Sequence, residues 1–385
     1  MESRPAPRFS TGLSRRDVLR LGLRGTGLVV AAGPLSAILV ACGGEETEGG
    51  AASPPAPGLA RADVENASGT VKVLSWEWYE APESQPPGIT AEWAYLTANE
   101  DTITKTTQPG SFDIVGIFQG EIDQLRLLDR IAPIDTSLLE NFSGINSLFS
   151  QADVIRRDGQ VFAVPFQWGY AYITYDRRQT AEPTSLDDLS APSLRGKIGV
   201  PDDPYAVLTT FAKLAGFTEP NNLTPEQFQQ TIDLMNDFKP QLRTIYVYGE
   251  AAQLLGQKDI AIAFPEFGPT FTAAQDAGAD ATFTLVAGWS YVDCLMVLKE
   301  AANVPGTYAY IDQAITPEAQ AAVSAQGLAF PVVDSAVTAL PKAMRYDTPD
   351  QILAEAPLLP GPPVDDSGGF VPFQDWLTAW EQFKS

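Results

Sequence analysis

From residue 70 onward, short apolar runs alternate with polar, helix-patterned segments. Val71-Lys72-Val73-Leu74-Ser75-Trp76 and Phe112-Asp113-Ile114-Val115-Gly116-Ile117 read as strands, with residues 89–96 as a third between them. Residues 160–175 are a long aromatic and β-branched run whose alternation predicts a strand passing from one half of the molecule to the other. Residues 197–200, 244–248 and 259–264 are further strands, and residues 204–214 and 223–239 are helices. Asp203 before Pro204 fits an N-cap followed by proline at the first helical position. Residues 305–325 read as helices split at Thr316-Pro317-Glu318. Strands and helices alternate throughout without an internal repeat, so the fold class is α/β.

Residues 283–298, FTLVAGWSYVDCLMVL, carry one carboxylate, Asp293, in an otherwise apolar run. A period of two puts Tyr291 and Asp293 on one face of a strand and Val292 on the other. An unpartnered acid there costs on the order of several kcal/mol, so water, a backbone group or a ligand must meet it.

The N-terminus obeys another logic. Ser14-Arg15-Arg16-Asp17-Val18-Leu19 precedes an apolar run over residues 28–41, the pattern of a twin-arginine export signal. Leu39-Val40-Ala41-Cys42 resembles the bacterial lipobox, which makes Cys42 the lipidation site and residues 1–41 the signal peptide. The run is shorter than the roughly 20 residues of a stable span. A short uncleaved anchor is the other reading, and both place the body outside the cytoplasm. Residues 42–69, rich in Gly, Pro, Ala and acid after Cys42, read as a flexible tether. The chain from residue 70 to residue 385 is long enough for two lobes.

The chain has 25 Lys+Arg against 48 Asp+Glu, and beyond residue 41 the balance is 19 against 46. Nucleic acid is therefore not an expected partner, and most of these acids read as solvated. Cys294 is the only thiol beyond Cys42 and reads as buried and reduced. There is no histidine, which excludes Ser-His-Asp and Cys-His relays and His/Cys zinc sites. No cofactor or metal is expected, and no enzyme. Carboxylate pairs and lysine bases are the catalytic chemistry left. An exported carboxylate-dependent hydrolase is the rival from another class, and a structural or adhesive lipoprotein is a third reading.

The order of motifs resembles exported solute-binding proteins of ABC importers, of the spermidine/putrescine-binding type. The resemblance rests on Leu74-Ser75-Trp76-Glu77-Trp78-Tyr79, Phe112-Asp113-Ile114-Val115, Phe162-Ala163-Val164-Pro165-Phe166-Gln167-Trp168-Gly169 and Leu194-Arg195-Gly196-Lys197-Ile198. It continues through Asp259-Ile260-Ala261-Ile262-Ala263-Phe264, Tyr291-Val292-Asp293 and Gly306-Thr307-Tyr308-Ala309-Tyr310-Ile311, covering roughly residues 70–335. It implies a two-lobed, type II periplasmic-binding-protein-like fold with a ligand cleft between lobes. Lobe 1 would be residues 70–171 plus 292–335 and lobe 2 residues 172–291 plus 336–385. Two crossing hinge strands, residues 169–175 and 289–297, would join them. The implied partners are a small cationic amine, an ABC permease with its ATPase, and the membrane through the lipid anchor; the implied state is a monomer.

Carried over by residue, the resemblance puts the aromatic cage on Trp76, Tyr79, Phe264 and Tyr291, the last two standing where the family has Trp. The amine-binding carboxylates fall on Asp293 and Asp203. Aromatic faces attract ammonium groups and carboxylates give them charge-assisted hydrogen bonds. Departures are a family Glu that falls on Ala206, a cleft Tyr that falls on or near Gly120, and a shortened segment after Tyr79 holding three prolines. These favour a cation smaller than a long polyamine. Glu266 and Tyr248 are further candidates.

Each candidate has a packing alternative. Asp203 caps a helix whether or not anything binds, Phe264 ends an apolar strand, and one of Trp76 and Trp78 reads as core. Tyr246 and Tyr248 raise a ferric-iron alternative built on hard oxygen ligands, although alternate tyrosines are also ordinary strand sequence. A neutral solute is the remaining alternative within the same fold.

Overall fold

The computed structural model describes residues 58–385, apart from 98, 100, 326–328, 341, 343, 344 and 347. The export signal, Cys42 and the first part of the expected tether lie outside the described residues. From Arg61 to Glu65 the tether is a short helix, α1, whose Val64 is buried in the core and whose Arg61 pairs with Glu140 at 2.7 Å. Asn303 Nδ2 donates to the carbonyls of Ser68 and Thr70. The body therefore begins about ten residues earlier than the composition suggests.

The strands of the main sheet are β1 (Gly69–Ser75), β2 (Ile89–Tyr95), β3 (Ile114–Phe118), β4 (Val164–Asp176), β5 (Ile198–Pro201), β6 (Leu242–Tyr246), β7 (Ile262–Glu266), β8 (Ala281–Val297) and β9 (Phe330–Pro331). They form one nine-stranded sheet in the order β2-β1-β3-β8-β4-β7-β5-β6, with β9 on β4. β1 pairs in parallel with β2 and β3, and β5 with β6 and β7, whereas β8 runs antiparallel to both β3 and β4. Val71, Val73 and Leu74 of β1 are all fully buried, as expected of a parallel strand covered on both faces. The α/β class expected from the alternation is the class observed.

Helix α2 (Asp101–Lys105) follows β2 and α3 (Ile122–Leu127) follows β3. Helix α4 (Pro204–Leu214) starts as its sequence dictates: Asp203 accepts from the Ala206 N–H at 2.9 Å and Pro204 occupies the first turn. Helix α5 (Pro225–Phe238) opens with a Thr224/Gln227 capping box. α6 (Val304–Ala314) and α7 (Pro317–Ser324) are split where expected.

Two large apolar clusters flank the two long strands. One gathers β1, β3, β8 and α6 around Val73, Ile114, Leu295 and Ile311; the other gathers β5, β7, α4 and the C-terminal helix α8 (Phe373–Lys384) around Ile198, Phe211, Trp376 and Trp380. The tail, expected to lie wholly with the second half, divides between them. Leu340 and Leu359 join the first cluster, while Val371, Trp376 and Phe383 join the second.

That tail makes a third connection beside the two expected ones. The Ser290 N–H donates to Pro357 O at 2.8 Å and the Leu359 N–H to Ser290 O at 3.2 Å, so residues 357–359 run along β8. Gln119 Nε2 then donates to Leu359 O at 2.8 Å and Asn221 Nδ2 to Pro360 O at 2.6 Å. Both side chains are buried, one after β3 and one after α4.

Candidate functional site

Asp293 sits on β8, directly across the ladder from Phe118 of β3. Its carboxylate is 5 % exposed and accepts a hydrogen bond from the Tyr79 hydroxyl. Among the described residues no lysine or arginine pairs with it. Burial pushes its pKa up to about 7, against a smaller lowering by the Tyr79 hydrogen bond. Gln119 steadies this stretch of β8, because its Oε1 accepts the Val292 N–H at 2.8 Å while its Nε2 holds the tail.

Tyr79 reaches Asp293 because β1 ends at Ser75 and the chain turns through a single 3₁₀ turn, Glu77–Tyr79. The same turn corrects the expectation that one of Trp76 and Trp78 is core: Trp76 is half-buried and Trp78 exposed, and their rings stack at 5.0 Å with planes 7° apart. Trp78 packs edge-on against Tyr79 and is 41 % exposed, and Tyr79 packs edge-on against Phe166.

Tyr291, two residues before Asp293, lies across from Gly169 of β4. A Cβ on Gly169 would stand 2.5 Å from the Tyr291 hydroxyl oxygen, so only glycine lets the ring lie over the strand there. Strand β8 itself is irregular just upstream. Pairing with β4 shifts between Thr284 and Trp289, and Ala287 takes a left-handed φ of 54°.

The second group of candidates gathers around Asp203. Besides capping α4, its carboxylate accepts from the Tyr248 hydroxyl at 3.0 Å. Phe267 joins the two groups, with ring centroids 5.8 Å from Tyr248, 5.6 Å from Trp289 and 5.5 Å from Tyr291. Glu266, 2 % exposed, accepts from the Tyr246 hydroxyl and from Thr270 Oγ1 at 2.7 Å, and burial pushes it up to about 7. Tyr246 and Tyr248 thus give their hydroxyls to different carboxylates. Among the described residues no group of three or more His, Cys, Asp and Glu is placed to hold a metal ion.

Phe264 is not with these residues. It is fully buried in the second cluster, its ring 5.7 Å from Phe211 and 5.9 Å from Phe238. Ordinary core packing accounts for it, since it precedes Glu266 by two residues and yet packs beneath the sheet's helices. The residues that sequence reasoning missed are aromatic: Phe267, Phe166 and Phe118. Phe267 stands next to Glu266 in Phe264-Pro265-Glu266-Phe267, and that adjacency is the signal that could have found it.

The arrangement is a buried acid and a capping acid with an aromatic bridge between them, set beside strands shared by two cores. Residues 77–349 match the family model described as bacterial extracellular solute-binding protein. The chain belongs to that family. Among curated solute-binding relatives, the spermidine/putrescine-binding periplasmic protein of Escherichia coli is 23 % identical over 273 residues, covering 67 % of this chain and 75 % of that protein. Among solved solute-binding structures, the spermidine/putrescine substrate-binding protein PotD of Streptococcus pneumoniae superposes with a TM-score of 0.67 at 20 % identity, covering 82 % of this chain and 99 % of that one. The TpPotD lipoprotein of Treponema pallidum gives a TM-score of 0.67 at 18 % identity, covering 82 % and 99 %. These likenesses show a shared solute-binding fold.

Proposed function

We propose that this extracellular solute-binding protein captures a small cationic amine for an ABC importer. The observation that carries the reading is Asp293: a carboxylate buried among Tyr79, Tyr291 and neighbouring rings with no basic side chain paired to it among the described residues. A buried acid without a protein partner charge is costly, and an incoming ammonium supplies that charge while the rings supply cation–π attraction. Asp203 with Tyr248 is the second polar pole of the site, reached across Phe267. Trp76 and Trp78 form an aromatic face beside Tyr79.

Two lobes closing about β4, β8 and the tail at residues 357–360 would bury the ligand and strengthen both terms by excluding water. Capture involves no chemical step, and delivery passes to a membrane permease and its ATPase. A lipidated Cys42 after twin-arginine export would hold a monomeric body near that permease. The polyamine-binding relatives support the amine class, and Ala206 and Gly120 favour a compact ligand over a long polyamine.

Thermal unfolding with a panel tests this, since a ligand that binds only the folded state raises the midpoint. Putrescine, spermidine, short alkylamines, quaternary ammonium compounds, amino acids, sugars and ferric citrate make up the panel. An amine is expected to give the largest rise. A response to a sugar or ferric citrate, with none to any amine at millimolar concentration, contradicts the proposal.

A further inference from the structure

Phe118 ends β3 opposite Asp293, so the two side chains leave the same face of the sheet. Its ring is 9 % exposed and lies 4.9 Å from the ring of Tyr205, which lies 5.3 Å from that of Trp289. These three rings make a continuous aromatic wall. The wall owes its position to Gly120, where a Cβ would stand 2.2 Å from the Phe118 ring. No L side chain fits at 120 while Phe118 holds this place.

A cavity of about 310 Å³ is lined on one side by Phe118, Gly120, Glu121 and Gln124 and on the other by Val364 and Leu377 of the tail. Its volume is at the lower end of ordinary small-ligand pockets. Asp293 is not among its lining residues, whereas the Phe118 ring is. The lining is mixed, with apolar walls and a mostly buried carboxylate in Glu121. That chemistry suits a methylene chain ending in a charged nitrogen.

Building on the amine reading, we infer that Phe118 limits ligand length: its ring separates the Asp293 compartment from the cavity, which is a latent subsite for the far end of a longer amine. The wild-type protein then accepts a short amine at Asp293. Removing the ring joins the two spaces and admits a second ammonium toward Glu121.

Calorimetric titration of propylamine, putrescine and spermidine into the wild type, Phe118→Ala and Phe118→Ala/Glu121→Gln tests this. The wild type is expected to bind propylamine or putrescine at least tenfold more tightly than spermidine. Phe118→Ala is expected to raise the affinity for spermidine relative to propylamine at least tenfold, and Glu121→Gln to cancel most of that gain. If Phe118→Ala does not fold, judged by its thermal unfolding, Phe118→Leu decides, with a smaller gain in the same direction expected. A wild type that binds spermidine as tightly as the short amines overturns the inference, as does a folded variant that gains nothing for spermidine. A wild type that binds no amine overturns the functional reading itself and this inference with it.

Discussion

At the scale of the residue, Asp293 is where burial and charge conflict most directly. Its carboxylate is held near neutrality by burial, and Tyr79 offsets part of that cost with one hydrogen bond. Asp293→Asn keeps the shape and removes the charge, so amine affinity is expected to fall at least about tenfold, roughly 1.4 kcal/mol, with folding intact by circular dichroism. Tyr79→Phe removes the bond that favours the ionised form and is expected to move the midpoint of the binding-versus-pH curve upward. An unchanged midpoint would remove Tyr79 from this role. Gly169→Ala puts a methyl 2.5 Å from the Tyr291 oxygen. Overpacking of this kind costs about 1–3 kcal/mol, which urea unfolding would detect, and displacement of Tyr291 should weaken amine binding as well. Asp293 was legible in the sequence because an acid in an apolar strand is conspicuous. Phe267 and Phe118 were not, because an aromatic residue in a strand end reads the same whether it faces a core or a site.

At the scale of the element, the helices and most strands were legible from local chemistry. The Asp203-Pro204 start and the Thr224/Gln227 box specify their helices within four residues, and the apolar periods of β1, β2 and β8 specify their strands. The turn at Trp76 was not legible, because nothing local distinguishes a strand that continues from one that ends in a 3₁₀ turn. Phe264 failed for a related reason: position in a motif fixes where a residue falls along the chain, while packing decides which way its ring points. The bulge in β8 is a further non-local feature. Ala287 at φ 54° stores backbone strain of roughly 1 kcal/mol in a strand that joins the two cores. Ala287→Gly is expected to be neutral to slightly stabilising in chemical denaturation, and Ala287→Val to lose more than about 1 kcal/mol. Equal loss in both variants would show that the left-handed position carries no strain.

At the scale of the whole molecule, the long strands β4 and β8 were readable as crossings, but the tail's return along Ser290 was not. Its contacts are backbone N–H and carbonyl groups of residues 357–360, which leave no pattern in a sequence. The folded body also carries a pH signature. Asp293 and Glu266 have folded pKa values near 7 against ordinary values of 3.8 and 4.5. Between those limits the folded state holds protons that the unfolded chain releases, so their contribution to stability is greatest at the acid end and falls as pH rises through 7. Asp101 and Asp176, lowered to about 2, act below pH 4 and do not mask this window. A bound ammonium has the opposite demand, since it requires Asp293 ionised. Capture of an amine by Asp293 is therefore tested most directly by calorimetric titration of the best-binding amine at pH 5, 6 and 8, in buffers of different ionisation heat, with wild type and Asp293→Asn. Wild-type affinity is expected to rise toward pH 8, with proton release on binding below pH 7, and both effects are expected to vanish in the variant. Affinity independent of pH and equal in the two proteins would contradict amine capture by this carboxylate.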